Sequence, residues 1–317
     1  MAVEQARVAS PVQPRLRATR RRWGEDVIKG MLALCALVSI ATTVGIVLAL
    51  LQPTIDFFRA VSIVDYLTGK EWAPLFEPQL FGVLPLIVGT LSVTLWACII
   101  CMPFGLGAAI YLSEYASRRV RKTIKPILEV LAGIPTVAIG FFGVSFVTPL
   151  LVDVWPGEFL GGPPGFFNAG AAGICIGLMI VPIIASISED AMSSVPAGLR
   201  EGAYALGASK MRVAMRVVFP AALSGIVASI VLGVSRAVGE TMIVLLVAGN
   251  NPNLTLNPVE SIQAMTAYIG VTATGDIATG TVQYDTVFAV GALLFVVTLA
   301  MNLIAIRLVR KYREVYE

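Results

Sequence analysis

The chain has 317 residues, 57% of them hydrophobic and 14% charged, with a net charge of +3 and no histidine. So apolar a composition lies outside the range of soluble globular domains and predicts a chain that lives in lipid. The absence of histidine removes the commonest metal ligand and proton shuttle, and the small net charge gives no reason to expect a nucleic-acid partner.

A helix needs about 20 apolar residues to cross a hydrocarbon layer roughly 30 Å thick, and it satisfies its own backbone in doing so. Six runs meet that requirement: Met31–Leu51, Val83–Leu112, Ile124–Val152, Ala169–Ile187, Ala221–Val247 and Thr286–Leu308. The expectation is an all-α, polytopic membrane protein. Residues 1–30 form a basic tail, 31–308 the membrane domain and 309–317 a second tail. The first run is too long for a signal-peptide core and follows an arginine-rich stretch, so a retained span is expected rather than a cleaved leader. After it, Gln52–Gly82 carries Trp72 and several phenylalanines and is long enough to hold structure.

Cys98 and Cys101 of the second run form a CxxC, but with no second pair they are weak evidence for metal or redox work; with Cys35 and Cys175 they read as small apolar fillers. Glu129 opens the third run just after Lys125, where it is expected to snorkel to water or pair with a base. Thr136 follows Pro135, which frees a backbone carbonyl, and is a candidate for a hydroxyl facing a polar pathway. Small residues recur in "FGLGAAI", "GFFGV" and "NAGAAGICIG". In lipid such stripes let helices approach closely, which predicts a packed bundle rather than six separate anchors.

Orientation follows from the basic residues, which collect in short cytoplasmic loops. The tail through Lys29 has seven, Ser113–Lys125 five, Ser188–Phe219 four and the chain from Arg307 four, whereas Gln52–Gly82 has two and Asp153–Asn168 and Ala248–Asp285 none. Both termini are therefore expected in the cytoplasm. Of the outer segments, Ala248–Asp285 has Asn-Pro turns and an amphipathic "ESIQAMTAYIG", to be read as a helix flat on the outer leaflet or as a solvated connector.

The cytoplasmic loop 188–220 contains "SVPAGLREGAYALGASKMRVAMRVVFP". Leu199, Ala203 and Leu206 are spaced for one helix face, Gly207 supplies a turn with positive φ, and a second short helix follows. Two readings are open: a helix–turn–helix that docks into a partner's groove, or an amphipathic connector at the headgroups. The one basic residue outside the loops and tails is Arg236, in "LGVSRAVGETMIV". At about 1.5 Å per residue it lies roughly 24 Å beyond Pro220, and Glu240 roughly 30 Å. A charge at such depth costs about 2.5–3.5 kcal/mol on insertion scales, so neither should face acyl chains. Spaced i, i+4, the two can pair on one helix face. Either they form a salt bridge that holds the bundle, or they line a path for an anion, with the arginine fork gripping a tetrahedral oxyanion and the glutamate easing its release.

Glu201, Gly202, Ala203, then Gly207, then Val217, Phe219 and Pro220 resemble the EAA loop of ABC-importer permeases in spacing, with Gly202, Val217 and Phe219 departing from the family's alanine, isoleucine and leucine. In that family the loop is a coupling helix seated in a cleft of the ATPase subunit. "GVSRAVGETMIV" further resembles the membrane subunits of phosphate-specific importers. Its methionine favours the PstC type over the PstA-type paralogue, and "FGVLPLIVGTL", "LEVLAGIPTVAIGFFG" and "RLVRKY" agree. The resemblance implies a type I ABC importer permease fold with transport residues at Arg236 and Glu240. It also implies a heterodimer with a PstA-type permease, two PstB-type ATPases holding ATP and magnesium, and a PstS-type phosphate-binding protein outside. The chain itself has no G-x-x-x-x-G-K-[ST]; its only Gly-Lys, Gly69-Lys70, is followed by Glu71, so no cofactor is expected on this chain. Residues alone leave open another oxyanion such as sulfate or molybdate, and, from a different class, a passive channel or structural subunit.

Overall fold

The computed structural model describes residues 23–155 and 162–311. The tails up to residue 22 and beyond 311 lie outside them. Among the described residues, five helical stretches are long and apolar enough to cross a membrane, and a bent helix pair, counted as one span, is a sixth. The first stretch, α1 (Trp23–Ala60), is longer at both ends than Met31–Leu51. Two units are present, Met1–Ala49 and Leu50–Glu317. In the first, Leu32, Leu37 and Ile46 of α1 are all exposed, as lipid-facing side chains would be.

The second unit opens with the end of α1, the short α2 (Ile63–Thr68) and a two-stranded antiparallel hairpin, β1 (Trp72–Ala73) with β2 (Leu80–Phe81). Phe57, Tyr66 and Trp72 meet edge to face here, and Trp72 stands 5.0 Å from Tyr268. The hairpin is the only β-sheet among the described residues.

Next come α3 (Leu84–Ile110), continued as a π-helical turn to Tyr115, α4 (Arg118–Ala132), α5 (Thr136–Phe142), a π turn over Gly143–Val147 and α6 (Thr148–Val154). The predicted third span, Ile124–Val152, is thus two elements. The chain breaks at Gly133–Pro135 because proline has no N–H to continue the ladder, and the crossing runs from Thr136 to Val154. The residues before the break, including Glu129, belong to α4, which is strongly amphipathic: Arg118, Arg119 and Lys122 line one side, Ile127, Val130 and Leu131 the other.

After α4 to α6, α7 (Ala169–Ser193) extends six residues past its predicted end. Ser188 and Glu189 are buried helical residues rather than the start of a loop, so the loop begins at Ser194. Two short helices follow as expected: α8 (Ala197–Ala205), then α9 (Lys210–Val213) joined by a π turn to α10 (Phe219–Ala221). At Ala222 the axis bends by 73° into α11 (Leu223–Val238). The predicted span Ala221–Val247 is broken again at Gly239–Thr241, and helix resumes at Met242, ending in a π turn over Val244–Ala248. Then come α12 (Met265–Thr274) and α13 (Val282–Lys311).

Helices α3 and α7 form the centre. A Cβ at Gly173 would stand 2.4 Å from the Trp96 Cβ, and one at Gly177 2.7 Å from the Ile100 Cβ, so the stripe "NAGAAGICIG" brings the backbones together as predicted. Val93, Ala97 and Cys101 interlock with Cys175, Ile176 and Ile180, and Ile243 and Val244 close the cluster. All four cysteines are free, with Cys101 and Cys175 buried as fillers.

Within the predicted outer segment Ala248–Asp285, residues 262–268 are buried in the protein, which a solvated connector would not be. The first amides of α7, which have no partner within the helix, donate outward: Ala169 N to Glu260 O at 3.0 Å and Gly170 N to Pro258 O at 2.7 Å. Met265, Thr266, Ala267 and Tyr268 are buried, and Met265 N donates to Thr90 Oγ1 at 3.0 Å. Polar side chains of the stretch bond backbone too, the Ser261 hydroxyl donating to Ala248 O at 3.2 Å and Asn253 Nδ2 to Ser261 O at 3.1 Å. Replacing Gly173 by leucine is expected to cost about 1–3 kcal/mol through forced separation of α3 and α7. The thermal midpoint of the purified protein in detergent measures it.

Candidate functional site

Two features stand out: the break after α11, and the α8 loop. Arg236 sits in the last turn of α11, where the helix dipole is negative and favours a cation. Three residues on, the chain leaves helix at Gly239, and Glu240 turns inward with 7% of its surface exposed. Its Oε1 accepts the amides of Met242 at 3.1 Å and Ile243 at 3.3 Å, and its carbonyl accepts the Thr266 hydroxyl at 2.7 Å. Glu240 thus caps the resumed helix, satisfying two amides that its first turn leaves over and placing a negative charge at the positive helix end.

Because the break rotates Glu240 away, the i, i+4 geometry of a continuous helix is lost. Among the described residues no ion pair joins it to Arg236. Arg236 is instead exposed on the isolated chain, with Nη2 3.9 Å from the Met179 sulfur. Thr136 opens α5 half-buried. Its helix packs against the resumed segment, where a Cβ at Gly140 would stand 2.7 Å from Leu246 Cδ1 and one at Gly143 2.8 Å from Val247 Cγ2. The structure therefore sets the helix of Thr136 beside the segment that Glu240 caps; among the described residues no hydrogen bond links Thr136 to Arg236 or Glu240.

The α8 loop is built around one turn. Gly207 has φ +78°, its amide donates to Tyr204 O at 2.9 Å, and that of Ala208 donates to Ala203 O at 3.1 Å, the helix stop in which glycine avoids a Cβ clash. Ala203 packs inward on the cluster of Met192, Val213 and Val218, while Glu201 and Gly202 point out and Leu206 is 90% exposed. Pro220 lies in the first turn of α10, two residues before the bend.

Two charge clusters went unread in the sequence. Glu189, fully buried on α7, receives Arg121, Lys125 Nζ at 3.0 Å and the Ser193 hydroxyl at 2.8 Å, and Asp190 adds a second partner for Lys125. Burial alone would lower the Lys125 pKa; the bonds to Asp190 and Glu189 outweigh it and hold the ammonium above the ordinary lysine value. Arg200 of α8 pairs with Glu114 in the π turn after α3. The available signal was the helical period of α7, since Ile184, Ser188 and Met192 continue its buried stripe past the point where polarity suggested a loop.

A multi-span helical bundle with a small helix projecting beside a bent span, and with polar chemistry at a break within a span, defines a membrane permease subunit. The chain belongs to the family described as the inner membrane component of binding-protein-dependent transport systems, whose model matches residues 101–314. It is 34% identical over 308 residues to the probable ABC transporter permease protein YqgH of Bacillus subtilis, covering 96% of this chain and 97% of that one. It is 31% identical over 308 residues to the phosphate transport system permease protein PstC of Haemophilus influenzae, covering 92% and 95%. PstC of Mesorhizobium japonicum is 34% identical over 257 residues, 76% of each chain. Among solved structures, a bacterial alginate ABC transporter in complex with its alginate-bound periplasmic protein superposes with a TM-score of 0.57 at 19% identity, covering 92% of this chain and 98% of that one. The inward-facing MetNI methionine ABC transporter gives 0.54 at 21%, covering 76% and 100%. The fold is that of a type I ABC importer permease, a non-catalytic subunit.

Replacing Glu240 by leucine removes the acceptor for two amides, that of Ile243 buried and that of Met242 half-buried, and is expected to cost about 0.5–2 kcal/mol, while Glu240→Gln keeps an acceptor oxygen and loses less. Thermal midpoints of the two variants side by side give the ordering.

Proposed function

We propose that this chain is the PstC-type permease subunit of an ATP-driven phosphate importer in the bacterial inner membrane. Both termini and α8 then lie in the cytoplasm, as the loop charges favour, with 1–30 and 309–317 as tails and 31–308 as the permease domain. It pairs with a PstA-type permease, rests on two PstB-type ATPases that hold ATP and magnesium, and receives phosphate from a PstS-type binding protein. The relatives named for phosphate transport support the cargo, since they align with three quarters or more of the chain.

The observation that carries the mechanism is the separation of Arg236 from Glu240. With the carboxylate engaged in capping, the guanidinium keeps its charge and its fork for an anion. Glu240 acts by holding the helix break that sets the position of Arg236, and Thr136 offers a hydroxyl from α5. Docked in the ATPase through Glu201, Gly202 and the turn at Gly207, with Ala203 seating the loop on the bundle instead of on the ATPase, α8 moves when the ATPases close; Pro220 and the bend pass that movement into α11, so the Arg236 region opens first outward, then inward.

Arg236→Gln is expected to abolish radiolabelled phosphate uptake by the reconstituted complex while insertion and assembly persist; normal uptake by the variant sinks the pathway role. Excess sulfate or molybdate is expected not to compete, and competition by either moves the assignment to that oxyanion. At Gly207 a valine cannot adopt φ +78° without strain, so the ATPase subunits should no longer co-purify.

A further inference from the structure

The importer reading requires that movement of α8 reach the membrane helices, and most of α8's surface is too exposed to transmit it. Ala203 is packed inward, but one apolar contact is non-directional and slips. The directional attachment is Arg200. Its Nη1 donates to Val195 O at 2.6 Å, its Nη2 to Met192 O at 2.6 Å and to Glu114 Oε1 at 3.1 Å, and its Nε to the same carboxylate oxygen at 3.3 Å. The side chain is 20% exposed and that of Glu114 5%. Met192 O lies in the last turn of α7 and Val195 O two residues beyond it, at the negative end of the helix, where a cation is favoured. Glu114 lies in the π turn that ends α3, and its oxygen also accepts the Ser113 hydroxyl at 3.0 Å. A single planar fork therefore ties α8 to the ends of α3 and α7, the pair that forms the centre of the bundle.

We propose that Arg200 is the positioning residue that couples α8 to the membrane helices, so that ATPase closure moves α3 and α7 together with the loop. This rests on the importer reading. A rigid fork suits the task because it fixes direction as well as distance, and because a partly buried charge pair is screened less than one in water. The pair is separate from the docking face: Glu201, Gly202 and Leu206 point away from the bundle, whereas Arg200 reaches back toward it.

The test is phosphate imported per ATP hydrolysed by the full complex in vesicles. With Arg200→Ala the ATPases are expected to co-purify and hydrolyse ATP while the ratio falls about tenfold, within the usual range of coupling between sites. Arg200→Lys, whose ammonium cannot span both carbonyls and the carboxylate, is expected to fall between. Glu114→Gln keeps the carbonyl bonds and should give a smaller loss. An unchanged ratio in Arg200→Ala overturns the inference, as does loss of the ATPases from that variant, which would make Arg200 a docking residue. Should Arg200→Ala fail to accumulate, the ratio in Glu114→Gln decides: lowered supports coupling, unchanged overturns it. A wild-type complex that imports sulfate in place of phosphate defeats the cargo assignment alone, and the same ratio is then read with sulfate.

Discussion

The governing constraint is that a backbone inside lipid finds no water to bond to, so every interruption of helix must be satisfied from within the protein. The fifth span interrupts itself at Gly239–Thr241, and the deficit is met by one carboxylate. Glu240 takes the amides of Met242 and Ile243 with its side chain and the Thr266 hydroxyl with its carbonyl. With the acid engaged there, Arg236 stays at the end of one half-helix with its charge uncompensated by its sequence neighbour. The charges stand at helix ends of opposite polarity, so each is stabilised where it is without needing the other.

Around this break the bundle is stiff where it must be and divided where it can move. Helices α3 and α7 are held at backbone contact by Gly173 and Gly177. Beside them α4 is fastened to α7 through the buried Glu189, and the Gly133–Pro135 break divides it from α5. Breaking a buried pair of this kind costs far more than its net contribution, because the remaining charge is stranded; a well-paired Glu189 is therefore a fastening rather than a source of stability.

Much of this was legible in the sequence because it followed from period, composition or spacing. The spans starting near Val83, Ala169 and Thr286 are where hydropathy put them, small residues marked the close pair, and Gly207 was recognisable as the turn of positive φ. Two spans were misread for one reason. Hydropathy averaged over a window cannot separate an apolar crossing from the greasy side of α4, and it ran through Pro135 even though proline marked the place. At Gly239 the cue was fainter, a lone glycine before Glu240, and the i, i+4 pairing of Arg236 with Glu240 presumed a helix that was not continuous. The turn signals and amphipathic pattern of residues 257–264 gave no sign that the carbonyls of Pro258 and Glu260 are the partners of α7's first amides, a long-range relation no local pattern encodes.

The bend at Ala222 bears on how force would arrive. The arms Lys210–Ala221 and Leu223–Val238 meet at 73°, close to perpendicular. A thrust along the shorter arm therefore reaches the longer one almost wholly as sideways sway, with little sliding along its axis. On the proposed mechanism the guanidinium of Arg236, carried on the longer arm, would keep its depth in the bilayer and shift sideways, changing its neighbours without being carried through the membrane.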